Sequence, residues 1–322
     1  MRPTGPLHLG NVMGALDNWV RLQRQHECFF SIVDWHSLTT DYADPGAIRE
    51  NIVEVATDWL AAGLDPSQST LFIQSLVPEH AELHLLLSMI VPVPLLERVP
   101  TYKEQQQQLT EKDLSTYGFL GYPLLQTADI IIYKADMVPV GEDQVPHIEL
   151  AREVVRKFNN LYGPVFPEPQ NLLTAVPRIP GTDGRKMSKS YGNAVYLKDS
   201  PDVVRQKLKP MLTDPARKRR TDPGDPEVCP VFDLHKAFSP KDVQDWAAAG
   251  CKSAGIGCLD CKGALIEQLL KRLEEVHARR PEFASRPDTV WDILREGSKK
   301  ARQVAQATME EVRAAMKIAY SL

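Results

Sequence analysis

The residues with the clearest chemical purpose stand together at 186–190, where the chain reads Lys-Met-Ser-Lys-Ser. Lys186 and Lys189 each bring an ammonium charge, and Ser188 adds a hydroxyl donor between them. Glycines just before the motif allow its backbone, including that of Met187, to approach an anion closely. A solvated basic turn would have a similar composition. The spacing nevertheless favours a loop that grips a polyphosphate.

A second candidate anion site lies at the start of the chain, in the turn Pro3-Thr4-Gly5-Pro6-Leu7-His8-Leu9-Gly10-Asn11. An apolar periodic stretch follows, which predicts that the turn leads into a helix. The free N–H groups and the positive dipole end of a helix start favour phosphate. His8 and Asn11 are placed to donate to a nucleotide within the same turn as Thr4, Gly5 and Gly10. A purely structural role is the common alternative for a histidine at a helix start.

Together the two motifs resemble the paired ATP-binding signatures of class I aminoacyl-tRNA synthetases. Composition agrees with an enzyme of that kind, because the 322 residues are 43% hydrophobic and 25% charged. No apolar run is long enough to cross a bilayer and no signal peptide is visible, so a cytoplasmic location without membrane contact is expected. The net charge of −4 argues against blanket nucleic-acid binding. Contact with tRNA would then rest on local basic clusters, above all the run at 217–220.

Hydrophobic patterning predicts an α/β fold with a Rossmann-like, doubly wound parallel sheet over residues 1–195. Buried strands are expected at 29–33 and 71–73, and helices at 46–62, 79–90, 123–134 and 145–160. Strand signals fade near residue 200, so residues 196–322 are predicted to be all helical. The last helix carries an apolar stripe from Val290 to Met316 and could pack back on the first domain.

Two further stretches could set specificity. Tyr122, Gln126 and Asp129 are spaced by four and three residues, which places them on one face of a helix with apolar flanks. A buried carboxylate needs a donor, and either a ligand or an internal hydrogen-bond cluster would supply it. Asp143 follows a predicted strand end, where carboxylates commonly meet ribose hydroxyls. It could equally be the N-cap of the next helix.

With these stretches the resemblance extends over nearly the whole chain and becomes closest to the bacterial tryptophanyl-tRNA synthetases. The supporting strings are Asn18-Trp19-Val20, Asp34-Trp35-His36-Ser37-Leu38-Thr39, Arg98-Val99-Pro100-Thr101-Tyr102-Lys103, Gly141-Glu142-Asp143-Gln144 and Gly192-Asn193. In this family Asn commonly replaces the second His of the first signature, so Asn11 is no departure.

The resemblance implies an enzyme that joins L-tryptophan to ATP with Mg²⁺ and then transfers it to tRNA(Trp). It implies a catalytic group consisting of Lys186, Lys189, Ser188, His8 and Asn11. It implies ATP contacts from Thr4, Gly5, His8, Gly10, Asn11, Gly141, Asp143, Lys186, Met187, Ser188 and Lys189. It implies a tryptophan pocket formed by Tyr122, Gln126, Asp129, Val138, Val140 and Gln144. Within that pocket Asp129 would accept the indole N–H, and Tyr122 and Gln144 would hold the α-ammonium. A homodimer and an anticodon-binding role for the helical domain are implied as well.

Four of the five cysteines, Cys229, Cys251, Cys258 and Cys261, fall in the predicted helical domain. Thiols clustered like this in a cytosolic protein favour a metal site over disulfides. Spacing alone does not choose between zinc and a 4Fe-4S cluster. A subset of tryptophanyl-tRNA synthetases carries a 4Fe-4S cluster on very similar spacing, and the resemblance favours that cluster here. Cys28 is expected to be a small buried hydrophobe.

Three alternatives remain open. A tyrosyl-tRNA synthetase would use a similar Tyr, Gln and Asp, although the strings at 34–39 and 98–103 favour tryptophan. A catalytically idle paralogue that binds tRNA would not require the intact lysine motif. A small-metabolite nucleotidyltransferase would share the histidine turn but has no need of the four cysteines. The family also has a strand before Arg2; if the polypeptide begins at Met1, an inner sheet edge is expected to lack a neighbour.

Overall fold

The computed structural model describes residues 1–108, 112–173 and 179–320. Its strands are β1 (Cys28–Ile32), β2 (Ser69–Ile73), β3 (Met137–Val140) and β4 (Gln170–Leu173). Helices α1 to α7 span Leu9–Asn11, Asp17–Leu22, Asp34–Asp41, Ile48–Ala62, Glu79–Ser88, Val93–Glu97 and Pro100–Gln108. Helices α8 to α14 span Tyr117–Ile131, Val145–Tyr162, Pro201–Leu208, Pro230–Phe238, Lys241–Lys252, Cys258–Ala284 and Pro287–Ala315. A π-helical segment, Val12–Leu16, joins α1 to α2.

The predicted parallel α/β architecture is confirmed, with one difference in the sheet. In the described residues the strands form two parallel pairs, β1 with β2 and β3 with β4. The backbone carbonyl of Ser31 and the backbone N–H of Val33 face the same edge beside β1, because backbone groups two residues apart in an extended chain point the same way. That edge is contacted by Met1, whose carbonyl accepts the Val33 N–H at 2.9 Å and whose amino group donates to the Ser31 carbonyl.

The predicted helices are present, and one begins earlier than expected. The helix expected at 123–134 is α8, which starts at Tyr117, so Pro123 lies inside the helix and not in its first turn. The reason is the Thr116 side chain, which accepts the Phe119 N–H at 3.3 Å and caps the helix there. None of the helices in the described ranges has the length and apolar character needed to cross a membrane.

The C-terminal helix packs along the sheet, as the sequence allowed. Ala301, Ala305 and Met309 of α14 are fully buried in the same hydrophobic cluster as Phe72 of β2. Ser298 Oγ accepts the Ile73 N–H at 3.2 Å, so α14 satisfies a backbone donor of β2. The predicted apolar stripe is therefore core.

Helix α13 packs against α4, and a separate hydrophobic cluster surrounds its first half. That cluster joins Leu265 and Leu269 of α13 to Leu9 in the N-terminal turn and Met187 in the lysine motif. The helical part of the chain is thus in direct contact with both predicted anion-binding motifs.

Gly297 is the position where α14 approaches β2 most closely. A Cβ atom there would stand 1.9 Å from the Leu71 carbonyl oxygen. We expect Gly297→Ala to destabilise the protein by about 2 to 3 kcal/mol, because helix and strand must separate to admit the methyl group.

Thermal unfolding of the variant and its parent measures this effect. Gly263→Ala is the matched control, since Gly263 lies in α13 with nothing within 4 Å of its added Cβ. The control should be neutral or slightly stabilising. Equal unfolding temperatures for Gly297→Ala and the parent would contradict the close approach.

Candidate active site

A short antiparallel bridge joins two segments that are far apart in sequence. The Leu9 N–H donates to the Val195 carbonyl at 3.0 Å, and the Leu197 N–H donates to the Leu7 carbonyl at 2.9 Å. His8 lies in the middle of this bridge. Because the lysine motif ends only a few residues before Val195, the bridge brings the N-terminal turn beside that motif.

Lys189 spans the gap between the two motifs. Its Nζ donates to the Gly5 carbonyl at 2.7 Å and to Thr4 Oγ1 at 3.3 Å. Gly5 has a φ of 107°, a left-handed conformation that a residue with a side chain would adopt only under strain. The turn thus presents its carbonyl to the ammonium group, and Thr4, Gly5 and Lys189 lie together.

His8 lies close to both lysines. Burial, and then the charges of Lys189 and Lys186, lower the pKa of His8 to about 4, so its ring is neutral at pH 7. His8 Nδ1 is buried and meets no hydrogen-bond partner among the described residues. Gly10 leaves room for the ring, since a Cβ there would lie 3.0 Å from it. Asn11 Oδ1 accepts the His8 backbone N–H at 3.0 Å and so fixes the turn.

Asn193 holds the lysine motif in shape. Its Nδ2 donates to Asp183 Oδ1 at 2.7 Å and to the Lys186 carbonyl at 3.2 Å. Its Oδ1 accepts the Ser188 N–H at 2.8 Å. Met187 is buried beneath the loop while Lys186 is exposed. Met187 therefore anchors the motif in the core, and Lys186 presents its positive charge at the surface.

Asp129 of α8 is surrounded by donors that the sequence analysis did not assign to the site. His36 Nε2 donates to its carboxylate at 3.0 Å, His80 Nδ1 at 2.6 Å and Gln74 Nε2 at 2.8 Å. The Tyr133 hydroxyl lies 2.7 Å from the other nitrogen of His80. Burial by itself would raise the pKa of Asp129, but His80 and His36 hold it below its usual range. Asp129 is therefore an anion at neutral pH.

The internal hydrogen-bond cluster left open as an alternative for Asp129 is thus present. A carboxylate has about four acceptor sites, and four contacts are present here, because Gln74 Nε2 lies 2.8 Å from each oxygen. A ligand donor would therefore have to share or replace one of these contacts. His36 and Gln74 follow the ends of β1 and β2, where ligands of parallel sheets usually bind. That position is the signal that could have identified them from the sequence.

Tyr122 also has an internal partner. Its hydroxyl lies 2.8 Å from Thr101 Oγ1, which lies 2.8 Å from His147 Nε2. Burial, and then the charge of His36, lower the pKa of His147 to about 4. This chain fixes the Tyr122 ring, which is itself mostly buried. Thr101 and His147 were not predicted as site residues.

The remaining polar residues of the predicted pocket are linked in series. Gln126 Nε2 donates to Gln144 Oε1 at 3.4 Å, and Gln144 Nε2 donates to Asp143 Oδ2 at 3.0 Å. Asp143 is exposed and does not cap α9, whose N-cap is Gln144. The N-cap alternative for Asp143 is therefore wrong. Val138 and Val140 lie on β3 just before this group and are partly buried.

The four cysteines lie around the start of α13 as free thiols. Within the described ranges no group of three or more His, Cys, Asp or Glu side chains is arranged to hold a metal ion. The thiols are nevertheless neighbours: burial, and then the proximity of Cys229, Cys251 and Cys258, raises the pKa of Cys261 to about 12. The predicted metal site is therefore not present as a preformed ligand group.

Arg217 does not belong to a surface basic run, contrary to the sequence prediction. It is buried, with Nη1 3.8 Å from Cys251 Sγ and Nη2 donating to the Arg220 carbonyl at 3.1 Å. The guanidinium group turns inward because the Cys251 sulfur and the Arg220 carbonyl accept hydrogen bonds from it. Only Lys218, Arg219 and Arg220 of the run are exposed.

Comparison with known proteins shows the family to which the chain belongs. A family model described as class I tRNA synthetases (W and Y) matches residues 1–274. The chain therefore belongs to the class I tRNA synthetases, in the family of the tryptophan and tyrosine enzymes.

Particular members of the family are similar over their whole length. The tryptophan–tRNA ligase of Thermotoga maritima is 54% identical, with 99% of this chain and 98% of that protein covered. The corresponding ligase of Ralstonia nicotianae is 47% identical, over 100% and 98%. The crystal structure of the Campylobacter jejuni tryptophanyl-tRNA synthetase with ADP and tryptophan has a TM-score of 0.87 at 32% identity, covering 98% of each chain.

The ammonium group of Lys189 should titrate well below an ordinary lysine. Burial lowers the pKa of Lys189 to about 8, although the Asp58 carboxylate acts in the opposite direction. Lys189 is then charged below pH 8 and loses its proton as the pH rises through that value, so affinity for pyrophosphate should fall between pH 7 and 9. NMR titration of ¹³C-labelled lysine checks this, with Lys189→Arg assigning the resonance. A midpoint near lysine's ordinary value, about 10.4, would contradict it.

Proposed function

We propose that the chain is a tryptophan–tRNA ligase. It activates L-tryptophan with ATP to tryptophanyl-adenylate and pyrophosphate, and transfers the tryptophanyl group to the terminal adenosine of tRNA(Trp). The observation that supports the proposal is the bridge between the two signatures, which brings the turn that carries His8 beside the motif that carries Lys186 and Lys189. Three groups that suit a polyphosphate are therefore close to one another.

Activation requires the tryptophan carboxylate to attack the α-phosphate of ATP while pyrophosphate leaves. No enzyme nucleophile is needed, so the protein acts through position and charge. We assign Lys186, Lys189 and Ser188 to the pyrophosphate side, with His8 donating from its neutral ring. Mg²⁺, which commonly binds through substrate phosphates, would supply further positive charge when present. Asn11 and the turn from Thr4 to Gly10 would bind the nucleotide.

The tryptophan pocket is assigned to the polar residues of α8 and their neighbours. Asp129 would accept the indole N–H, a donor without acceptor capacity, in place of one of its contacts with Gln74. Tyr122 and Gln144 would hold the α-ammonium group, with Gln126 beside them. Val138 and Val140 would form an apolar wall. Gly141 and the exposed carboxylate of Asp143 would then contact the ATP ribose.

The choice of tryptophan over tyrosine rests on the relatives and on the donors around Asp129. Curated relatives at 44% identity or more are tryptophan–tRNA ligases. His80 and His36 keep Asp129 ionised, and an ionised carboxylate accepts a hydrogen bond but cannot donate one. A tyrosine hydroxyl would leave its own acceptor sites without a donor from Asp129.

Amino-acid-dependent exchange of pyrophosphate into ATP tests the function. Exchange is expected with tryptophan, and not with tyrosine or without an amino acid. Lys189→Ala should lower the rate by about tenfold to a thousandfold, since it removes a charge that stabilises the transition state.

Lys299→Ala is the matched control for that variant, because Lys299 is exposed on α14 and, in the part of the chain that the structure describes, pairs with Glu296 of its own helix. It should leave the exchange rate unchanged. Exchange with tyrosine would favour the tyrosine enzyme, and silence with both amino acids would favour an idle paralogue.

We propose further that the thiols of Cys229, Cys251, Cys258 and Cys261 hold a 4Fe-4S cluster, with zinc as the lesser alternative. The four thiols are neighbours, because Cys229, Cys251 and Cys258 all contribute to the raised pKa of Cys261. The choice of the cluster over zinc rests on the resemblance in cysteine spacing, since both groups accept four cysteines. The Arg217 guanidinium at 3.8 Å from Cys251 would offset part of the negative charge of bound thiolates.

Protein purified without oxygen should contain about four irons per chain and show the visible absorption of an iron–sulfur cluster. Cys258→Ser should remove the colour, whereas Cys28→Ser should keep it, because Cys28 lies on β1 away from the group. A colourless protein with one zinc per chain would overturn the cluster in favour of zinc.

The remaining proposals concern organisation and partners. We infer a catalytic domain over 1–195 and an anticodon-binding domain over 196–322, with α14 returned to the first. Lys218, Arg219 and Arg220 are the exposed cations suited to the tRNA backbone. A homodimer is supported by Leu85 and Met89, which are more than half exposed on the outer face of α5 and just beyond it. A cytoplasmic location follows from the use of tRNA and ATP.

A further inference from the structure

Asp58 is a fully buried carboxylate in α4 that no part of the proposed reaction uses. Its neighbours Ala56, Trp59 and Leu60 are also buried, so the charge lies in an apolar setting. A buried charge is costly unless it is paired and hydrogen-bonded. Both oxygens of Asp58 meet this requirement through groups from two distant parts of the chain.

One oxygen of Asp58 accepts the backbone N–H of Leu7 at 2.7 Å. Leu7 directly precedes His8, and its carbonyl takes part in the bridge to Leu197. The carboxylate thus fixes the N-terminal turn at Leu7. It also acts on the charge state of Lys189, because it raises the pKa of that lysine against the effect of burial.

The other oxygen accepts Nε of Arg280 at 2.8 Å. Arg280 lies near the end of α13, the same helix that begins with Cys258. Its Nη2 donates to Glu54 at 2.8 Å, and Lys198, just after the bridge, lies 3.5 Å from Glu54. Although Arg280 is one of two adjacent arginines, its side chain is turned inward to Asp58.

We propose that Asp58 and Arg280 are positioning residues for ATP: through their ion pair, helix α13 holds the Leu7–His8 turn in the geometry that receives the polyphosphate. The inference rests on the proposed function, and it gives Arg280 of α13 a role at the ATP site. Neither side chain reaches the substrate. Arg280 orients Asp58 and opposes the rise in its pKa that burial causes. Asp58 fixes the Leu7 N–H, and the turn in between carries the effect to His8 and Lys189.

The test compares Arg280→Met with Arg279→Met. Arg279 directly precedes Arg280 and is exposed, so its variant controls for the loss of a positive charge from the same end of α13. Arg280→Met should raise the KM for ATP in pyrophosphate exchange by about tenfold, as expected when a charged hydrogen bond is lost. The KM for tryptophan should stay within about twofold, because Asp129 and its donors are untouched. Arg279→Met should leave both constants unchanged.

A second readout does not depend on activity. Hydrogen–deuterium exchange of the peptide containing Leu7 should be faster in Arg280→Met and in Asp58→Asn, since the Leu7 N–H loses its ionised acceptor. Arg280→Lys keeps the charge and should restore slow exchange in part, which also covers the case in which Arg280→Met folds poorly.

The outcomes separate this inference from the proposed function. A lower unfolding temperature with unchanged KM for ATP and unchanged exchange at Leu7 would overturn the positioning role and leave a purely structural pair. Parent protein that shows no pyrophosphate exchange would overturn the proposed function, while the deuterium exchange at Leu7 would still decide whether Arg280 fixes the turn.

Discussion

Two backbone hydrogen bonds, between Leu9 and Val195 and between Leu197 and Leu7, join the start of the chain to the segment that follows the lysine motif. The contacts between the N-terminal turn and the lysine motif depend on this bridge. It brings Lys189 within hydrogen-bond distance of Gly5 and places His8 near both lysines. Closing so long a loop costs conformational entropy, and apolar burial offsets that cost. Leu9 and Met187, one from each motif, are buried in the same hydrophobic cluster.

Buried carboxylates shape the two halves of the site in different ways. Asp129 accepts hydrogen bonds from two histidines and a glutamine, all of them side chains. Asp58 accepts one from the backbone N–H of Leu7 and one from the Arg280 guanidinium group, so it joins two distant parts of the chain. The difference follows from the partners, because an ion pair with a fixed arginine leaves little reason for a ligand to displace it.

The long C-terminal helices act as braces for the sheet and the site. Helix α14 covers the edge of β2, and Gly297 and Ser298 allow a contact that a larger residue would prevent. Helix α13 reaches from the cysteine group to Asp58, and on the way Arg272 pairs with Asp17 of α2 at 2.5 Å. A change in the helical part therefore has a direct physical route to the Leu7–His8 turn.

Much of the architecture was predictable from local patterns. The alternation of apolar runs and amphipathic stretches predicted β1, β2, α4, α5 and α9, because burial repeats with the period of the strand or helix that produces it. The start of α8 was not predicted, since the Thr116 cap competed with the signal from Pro123. The division of the sheet into two pairs depends on which strands meet, and strand composition carries no such information.

The sequence by itself determined the chemistry that is available: two lysines on a glycine-rich loop, a histidine turn, a polar face on α8 and four grouped cysteines. Only the tertiary structure decided how these groups are used. Arg217 and Arg280 look like surface cations in the sequence, yet both are turned inward to acceptors that lie far away along the chain. His36, Gln74 and His80 converge on Asp129 for the same reason. A side chain's partner is set by three-dimensional proximity and burial, and a linear pattern records only its neighbours in the chain.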